Sequence, residues 1–196
     1  KKRKKNLLNN FNKYNINIIF NDGIKGDYLK IQYEISINRI NKFIDSNYEY
    51  GILCDDDFFP IDNFLEELNK TVELLPDNWE CLHLCPGFLW GRLFRDKNKI
   101  GNLNPEFDIS HLQYHKSGRF FNNCEANTYT DLKGWLGGPC AVLVNKKYIN
   151  KIKKQYEKYK YKDELDVIYT KILNKNHYIS RVPQLGYEEE CGGTIF

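Results

Sequence analysis

Apolar residues recur along the chain at two spacings, and the alternation between them outlines an α/β domain. Leu7, Leu8, Phe11 and Tyr14 fall three and four residues apart, which predicts a first helix. The run from Asn15 to Phe20 predicts a short strand closed by Asn21-Asp22-Gly23. Tyr28, Ile31, Ile35, Ile37, Ile40 and Ile44 predict a second amphipathic helix that stops near Asp45-Ser46-Asn47. Tyr48 to Cys54 reads as a buried strand whose exit is Asp55-Asp56-Asp57. Phe64, Leu65, Leu68, Val72 and Leu75 predict a helix over Ile61 to Leu75, halted by Pro76-Asp77-Asn78, and Trp79 to Cys85 reads as the next strand, broken by Pro86-Gly87.

Beyond Pro86 the pattern loosens. Phe88 to Tyr129 is rich in Gly, Asn and aromatic residues with weak periodicity, so long loops and short strands are expected there, a usual setting for a binding surface. Gly134-Trp135-Leu136-Gly137-Gly138-Pro139 is a glycine-rich bend feeding a strand from Cys140 to Val144. Helical patterns follow at Lys146 to Lys158 and Asp163 to Asn174, then a strand at Tyr178 to Val182. The order predicts one α/β domain, an open, mainly parallel sheet with an added antiparallel part and helices on its faces. Ligands of such sheets bind beyond the carboxyl ends of the strands, where Asp55 to Asp57 stand.

Composition narrows the function classes. The 196 residues, 41% hydrophobic and 15% aromatic, suffice for a real core. The formal charge of +3 is concentrated in Lys1, Lys2, Arg3, Lys4 and Lys5, so the body of the chain is slightly acidic. That argues against a nucleic-acid partner, which calls for basic residues spread over a face. Cys54, Cys81, Cys85, Cys124, Cys140 and Cys191 are scattered, several inside apolar runs, as reduced core cysteines are, and a cytoplasmic, reducing compartment is expected. No run of about 18 apolar residues is present, so no membrane span is expected.

A strand that ends Gly-Ile-Leu-Cys and turns at once into three aspartates must direct carboxylates into water or onto a cation, because adjacent like charges repel. Mg²⁺ or Mn²⁺ uses one or two protein carboxylates together with substrate phosphates. Alternation along an extended chain puts Asp55 and Asp57 on one side, so Asp57 is the expected metal ligand and Asp55 is assigned to the metal or to ribose hydroxyls. The alternative is an acidic cluster at a helix start.

The stretch from Asn47 to Phe64 and the stretch from Leu74 to Leu84, with its Leu-Pro-Asp-Asn-Trp, resemble glycosyltransferase family 25, the lipooligosaccharide and procollagen galactosyltransferase type. There a strand ends Glu-Asp-Asp, and Asp55 stands in for the Glu. The resemblance extends to Arg3–Phe20, Gly137–Ile152, Leu165-Asp166-Val167 and Pro183–Ile195. It departs at Ile37, where the family has a His after Ser36, and at Gly193-Thr194-Ile195, where it has a Ser turn. It implies a GT-A fold, a UDP-sugar donor, Mn²⁺ or Mg²⁺, and transfer of galactose or glucose to a glycan or protein hydroxyl. It also implies a first strand ahead of Lys1, in the middle of the sheet. Asp166 matches the family's acidic position and is the expected general base, with Asp163 second. Asp55, Asp56, Trp135, Gly137 and Gly138 are expected to contact the donor, the Trp against a sugar ring and the glycines near the diphosphate. A non-catalytic nucleotide-sugar or glycan-binding relative is the alternative function, and a phosphohydrolase a third.

Other groupings are weaker. His111 and His115 are four apart, a zinc spacing if they lie on a helix, and Cys81-x-His83-x-Cys85 places three soft ligands along one strand, where plain core is the expected reading. Glu188, Glu189 and Glu190 form an acidic turn, and Lys153, Lys154 and Lys158 a wet helix face.

Overall fold

The computed structural model describes residues 2–21, 24–56, 58–85, 115–121, 141–163, 168, 172, 175–180 and 185–188 of the chain. In chain order the elements are α1 (Lys2–Asn12), α2 (Tyr28–Asp45), β1 (Tyr50–Cys54), β2 (Phe58–Pro60), α3 (Phe64–Val72), β3 (Cys81–Cys85), β4 (Phe120–Phe121), β5 (Ala141–Asn145), α4 (Ile149–Lys158), β6 (His177–Ser180) and β7 (Gly186–Glu188). A 3-10 turn, Lys146–Tyr148, leads into α4.

Helix ends follow from local chemistry. The Asp27 carboxylate accepts the N–H groups of Leu29 at 3.1 Å and Lys30 at 3.3 Å, satisfying donors that α2 leaves open at its start. At the other end the Ser46 hydroxyl donates to the carbonyl of Phe43 at 2.7 Å. Asn145 performs the capping role for the 3-10 turn, accepting from Lys147 N at 3.1 Å.

Five strands form one sheet in the order β1-β5-β3-β6-β4. β5 runs antiparallel to both neighbours, with Ile52 opposite Leu143 and Leu82 opposite Leu143 across the two ladders, whereas β3 and β6 are parallel, with Leu82 opposite Tyr178. β4 is antiparallel to β6. The sheet is therefore mixed, and the expected mainly parallel arrangement is corrected. β1, β3 and β6 do share one direction, but β5 enters between β1 and β3 in the opposite sense. Both ladders of β5 are antiparallel, so the two strands that share a direction on its sides, β1 and β3, are held together through it and not by a parallel pairing of their own.

Side-chain alternation builds a core on each face. Leu82, Leu84, Leu143 and Tyr178 join Leu7 and Phe11 of α1 and Phe64 and Leu68 of α3. Cys81, Val142 and Val144 join Ile40 and Phe43 of α2 and Ile149, Ile152 and Tyr156 of α4. Ile168 and Ile172, both helical, also enter this second core, which agrees with the helix expected over Asp163 to Asn174. The result is helix, sheet, helix in three layers.

Three expectations change. β1 is half-buried rather than buried, because it is the end strand of the sheet. Ile16, Ile18 and Phe20 pack against the first core, but the Asn15 to Phe20 segment pairs with no strand among the described residues. Asn15 itself, at φ 54°, turns the chain out of α1. A second, two-stranded sheet was not expected: β2 and β7 are antiparallel, Phe58 opposite Glu188 and Pro60 opposite Gly186. A Cβ on Gly186 would stand 2.1 Å from the Phe58 ring, so this pairing requires glycine there.

Candidate functional site

Because β1, β3 and β6 point the same way, their carboxyl ends lie along one edge of the sheet, and Asp55 and Asp56 leave β1 at that edge. The Phe58 N–H returns to the Asp55 carbonyl at 3.4 Å, so the chain reverses at once into β2. Beside β1 runs a groove of about 780 Å³, walled by Leu7 and Phe11 of α1, by residues 15–21, and by Arg39 and Phe43 of α2, with Asp55 and Asp56 also lining it. Its apolar floor carries Ile52 and Leu143.

The outer wall is pinned by polar contacts that the sequence did not announce. Lys42 Nζ donates to the Phe20 carbonyl at 2.7 Å, Lys4 Nζ lies 4.1 Å over the Phe20 ring, and Asn21 Nδ2 donates to the Ile35 carbonyl at 3.2 Å. Arg39 sits next to buried Ile40 on α2 but one step round the helix, which turns it towards the groove. Its Nη2 donates to Asp55 Oδ1 at 2.7 Å, with the two side chains 23% and 44% exposed.

Asp55 and Asp56 offer hard oxygen ligands, the chemistry Mg²⁺ and Mn²⁺ accept. Among the described residues no three His, Cys, Asp or Glu side chains converge on a metal position. The pair fits such an ion as the protein's partial share of a shell that substrate phosphates would complete. Asp57, Trp135, Gly137, Gly138 and Asp166 lie outside the described residues. Asp163 is half-buried in a bend beyond α4 and does not line the groove.

The soft-ligand groupings are not a metal site among the described residues, and the strand one is core as expected. His115 lies in a turn, its Nδ1 2.8 Å from Ser117 Oγ and its ring stacked on Phe120, and His111 is outside the described residues. Cys81 and His83 are core residues: burial pushes the Cys81 thiol up and holds His83 down to about 3. A register shift between His83 and Cys85 also interrupts the β3–β5 ladder.

Sequence reasoning missed a buried carboxylate at the opposite edge. Glu80, fully buried, is bonded by Lys151 Nζ and accepts from Asn176 Nδ2 at 2.9 Å, with His177 Nε2 3.6 Å away. Its backbone N–H donates to the Asn176 carbonyl and its carbonyl accepts from Asn145 N, so one residue ties the amino ends of β3 and β6 to the end of β5. Burial lowers His177 more than the neighbouring Glu80 raises it. The available signal was a Glu embedded in the apolar run Trp79 to Cys85.

Comparison of the chain with protein-family models, with curated proteins and with solved structures found no match. Among the described residues no helix is long and apolar enough to cross a membrane.

Proposed function

We propose that the chain is the core of a metal-dependent glycosyltransferase with a GT-A-like fold, moving galactose or glucose from a UDP-sugar to a hydroxyl on a glycan or protein. The observation that carries this reading is the position of Asp55 and Asp56, at the carboxyl end of β1 and at the end of a groove large enough for a nucleotide. In this reading Asp57 and Asp55 hold Mn²⁺ or Mg²⁺. The ion, when bound, neutralises charge that develops on the departing diphosphate. Asp56, Trp135, Gly137 and Gly138 contribute to donor binding, and Asp166, or Asp163, takes the acceptor's proton. A reducing, cytoplasmic setting is part of this reading and rests on the scattered cysteines of the sequence.

The test is release of UDP from UDP-galactose and UDP-glucose over an acceptor panel, with and without chelator. Metal-dependent release is expected, and Asp57→Ala should abolish it while leaving the fold intact. Release that persists unchanged in chelator would remove the metal from the reading.

A second reading, a nucleotide-sugar-binding relative without turnover, is favoured by Ile37. The family resemblance calls for a His there, yet Ile37 packs against the second core. Binding of UDP and Mn²⁺ by calorimetry without turnover would select it.

A further inference from the structure

Among the described residues Lys4, Arg39 and Lys42 are the cationic side chains lining the groove; Lys4 lies over the Phe20 ring and Lys42 donates to the Phe20 carbonyl. Arg39 reaches from α2 to the end of β1 and places a guanidinium nitrogen 2.7 Å from Asp55 Oδ1. That oxygen is one a divalent cation would need. A guanidinium and a metal ion on the same carboxylate oxygen exclude one another by space and by charge. The pair is also open to exchange: Arg39 is 23% and Asp55 44% exposed, in contrast to the 1% exposure of the Glu80 side chain. Once off the carboxylate, a guanidinium remains charged and presents a planar fork of donors matched to phosphate oxygens.

We propose that Arg39 is an exchangeable counter-ion. In the ligand-free protein it neutralises Asp55, a divalent cation displaces it, and the released guanidinium binds the diphosphate of the nucleotide. This rests on the reading of the groove as a nucleotide-diphosphate site, and it adds a binding residue that the sequence pattern left among the ordinary polar positions of α2. It also orders the site's charges, since cation and phosphate together replace the Arg39–Asp55 pair.

Calorimetry on the full chain tests it, with Mn²⁺ alone and with UDP in saturating Mn²⁺ as the probes. Arg39→Gln removes the competitor, so Mn²⁺ should bind about three- to tenfold tighter, while UDP should bind about tenfold weaker for want of its charged fork. Arg39→Lys keeps the charge without the fork, so its Mn²⁺ affinity should stay near wild type while UDP still weakens. Thermal melts check that each variant is folded, and if Arg39→Gln is not, the Arg39→Lys result decides. Unchanged UDP affinity in a folded variant, or Mn²⁺ binding no tighter in folded Arg39→Gln, overturns the proposal. If the wild-type chain binds both probes and the variants match it, Arg39 alone is misassigned. If the wild-type chain binds neither probe, the diphosphate-site reading falls and the role of Arg39 falls with it.

Discussion

Two carboxylates mark opposite edges of the same sheet and are built in opposite ways. Glu80, at the amino ends of β3 and β6, is fully buried, and its side chain meets Lys151 and Asn176 while its backbone bonds Asn176 and Asn145. Asp55, at the carboxyl end of β1, is nearly half exposed and paired with Arg39 at the rim of a groove. A buried carboxylate is tolerable only when its hydrogen-bonding capacity is met from within, and a group so met has nothing left for a ligand. A half-exposed ion pair gains little from its geometry and can be exchanged at small cost. The sheet therefore has one edge locked by polar contacts and one edge left available, and only the second is a candidate for chemistry.

The same comparison can be broken by experiment. Glu80→Ala should give the largest effect, about 3 kcal/mol of lost stability in urea unfolding, because Asn176 loses its buried acceptor and Lys151 its counter-ion. Glu80→Gln should cost less, since an amide oxygen still accepts from Asn176. If Glu80→Ala unfolded at the wild-type midpoint, the locked edge would not be what holds β3 to β6.

Next in size is pH dependence. Burial holds His83 down to about 3, far below its ordinary 6.5, and lowers His177 as well, with Glu80 and Lys151 the charged groups facing the latter. Below about pH 6.5 the unfolded chain takes up protons that the folded protein refuses, so stability is full above that point and is lost as pH falls towards 3. The slope from His83 should approach about 1.4 kcal/mol per pH unit. Unfolding of His83→Leu, measured from pH 7 to pH 4, should be distinctly less pH-dependent. A slope equal to wild type would mean that His83 is solvated in solution.

The smallest stability effect belongs to the open edge. Asp55→Asn should leave the unfolding midpoint within about 0.5 kcal/mol of wild type, since no buried partner is orphaned. It should nevertheless weaken Mn²⁺ binding in calorimetry. The matched amide changes Glu80→Gln and Asp55→Asn thus separate the two edges: stability responds at one and ligand binding at the other. Equal stability losses would erase the distinction.

Much of this outline is legible in the residue pattern. α1, α2, α3 and α4 follow from apolar residues at helical spacing, and β1, β3, β5 and β6 from short apolar runs bounded by turn residues. The Asn15 to Phe20 run misled because its apolar side chains do pack against a core, while ladder formation depends on a neighbouring backbone that the run itself does not specify. β2 and β7 were missed because each is three residues long, too short for a period to show, and their partnership spans most of the chain.

What the sequence determined by itself is thus the kind of each element and the placement of Asp55 and Asp56 at a strand exit, because side-chain period and turn chemistry are local properties of the chain. Only the tertiary structure decided the direction of β5 between β1 and β3, the meeting of Arg39 with Asp55 across 16 positions, and the convergence on Glu80 of Lys151 and Asn176, 71 and 96 positions away. Polar residues carry no periodic signal of their partners, and contacts at such separations are set by how the layers close. The groove beside β1 is the product of that closure, since its walls come from α1, α2 and the segment between them.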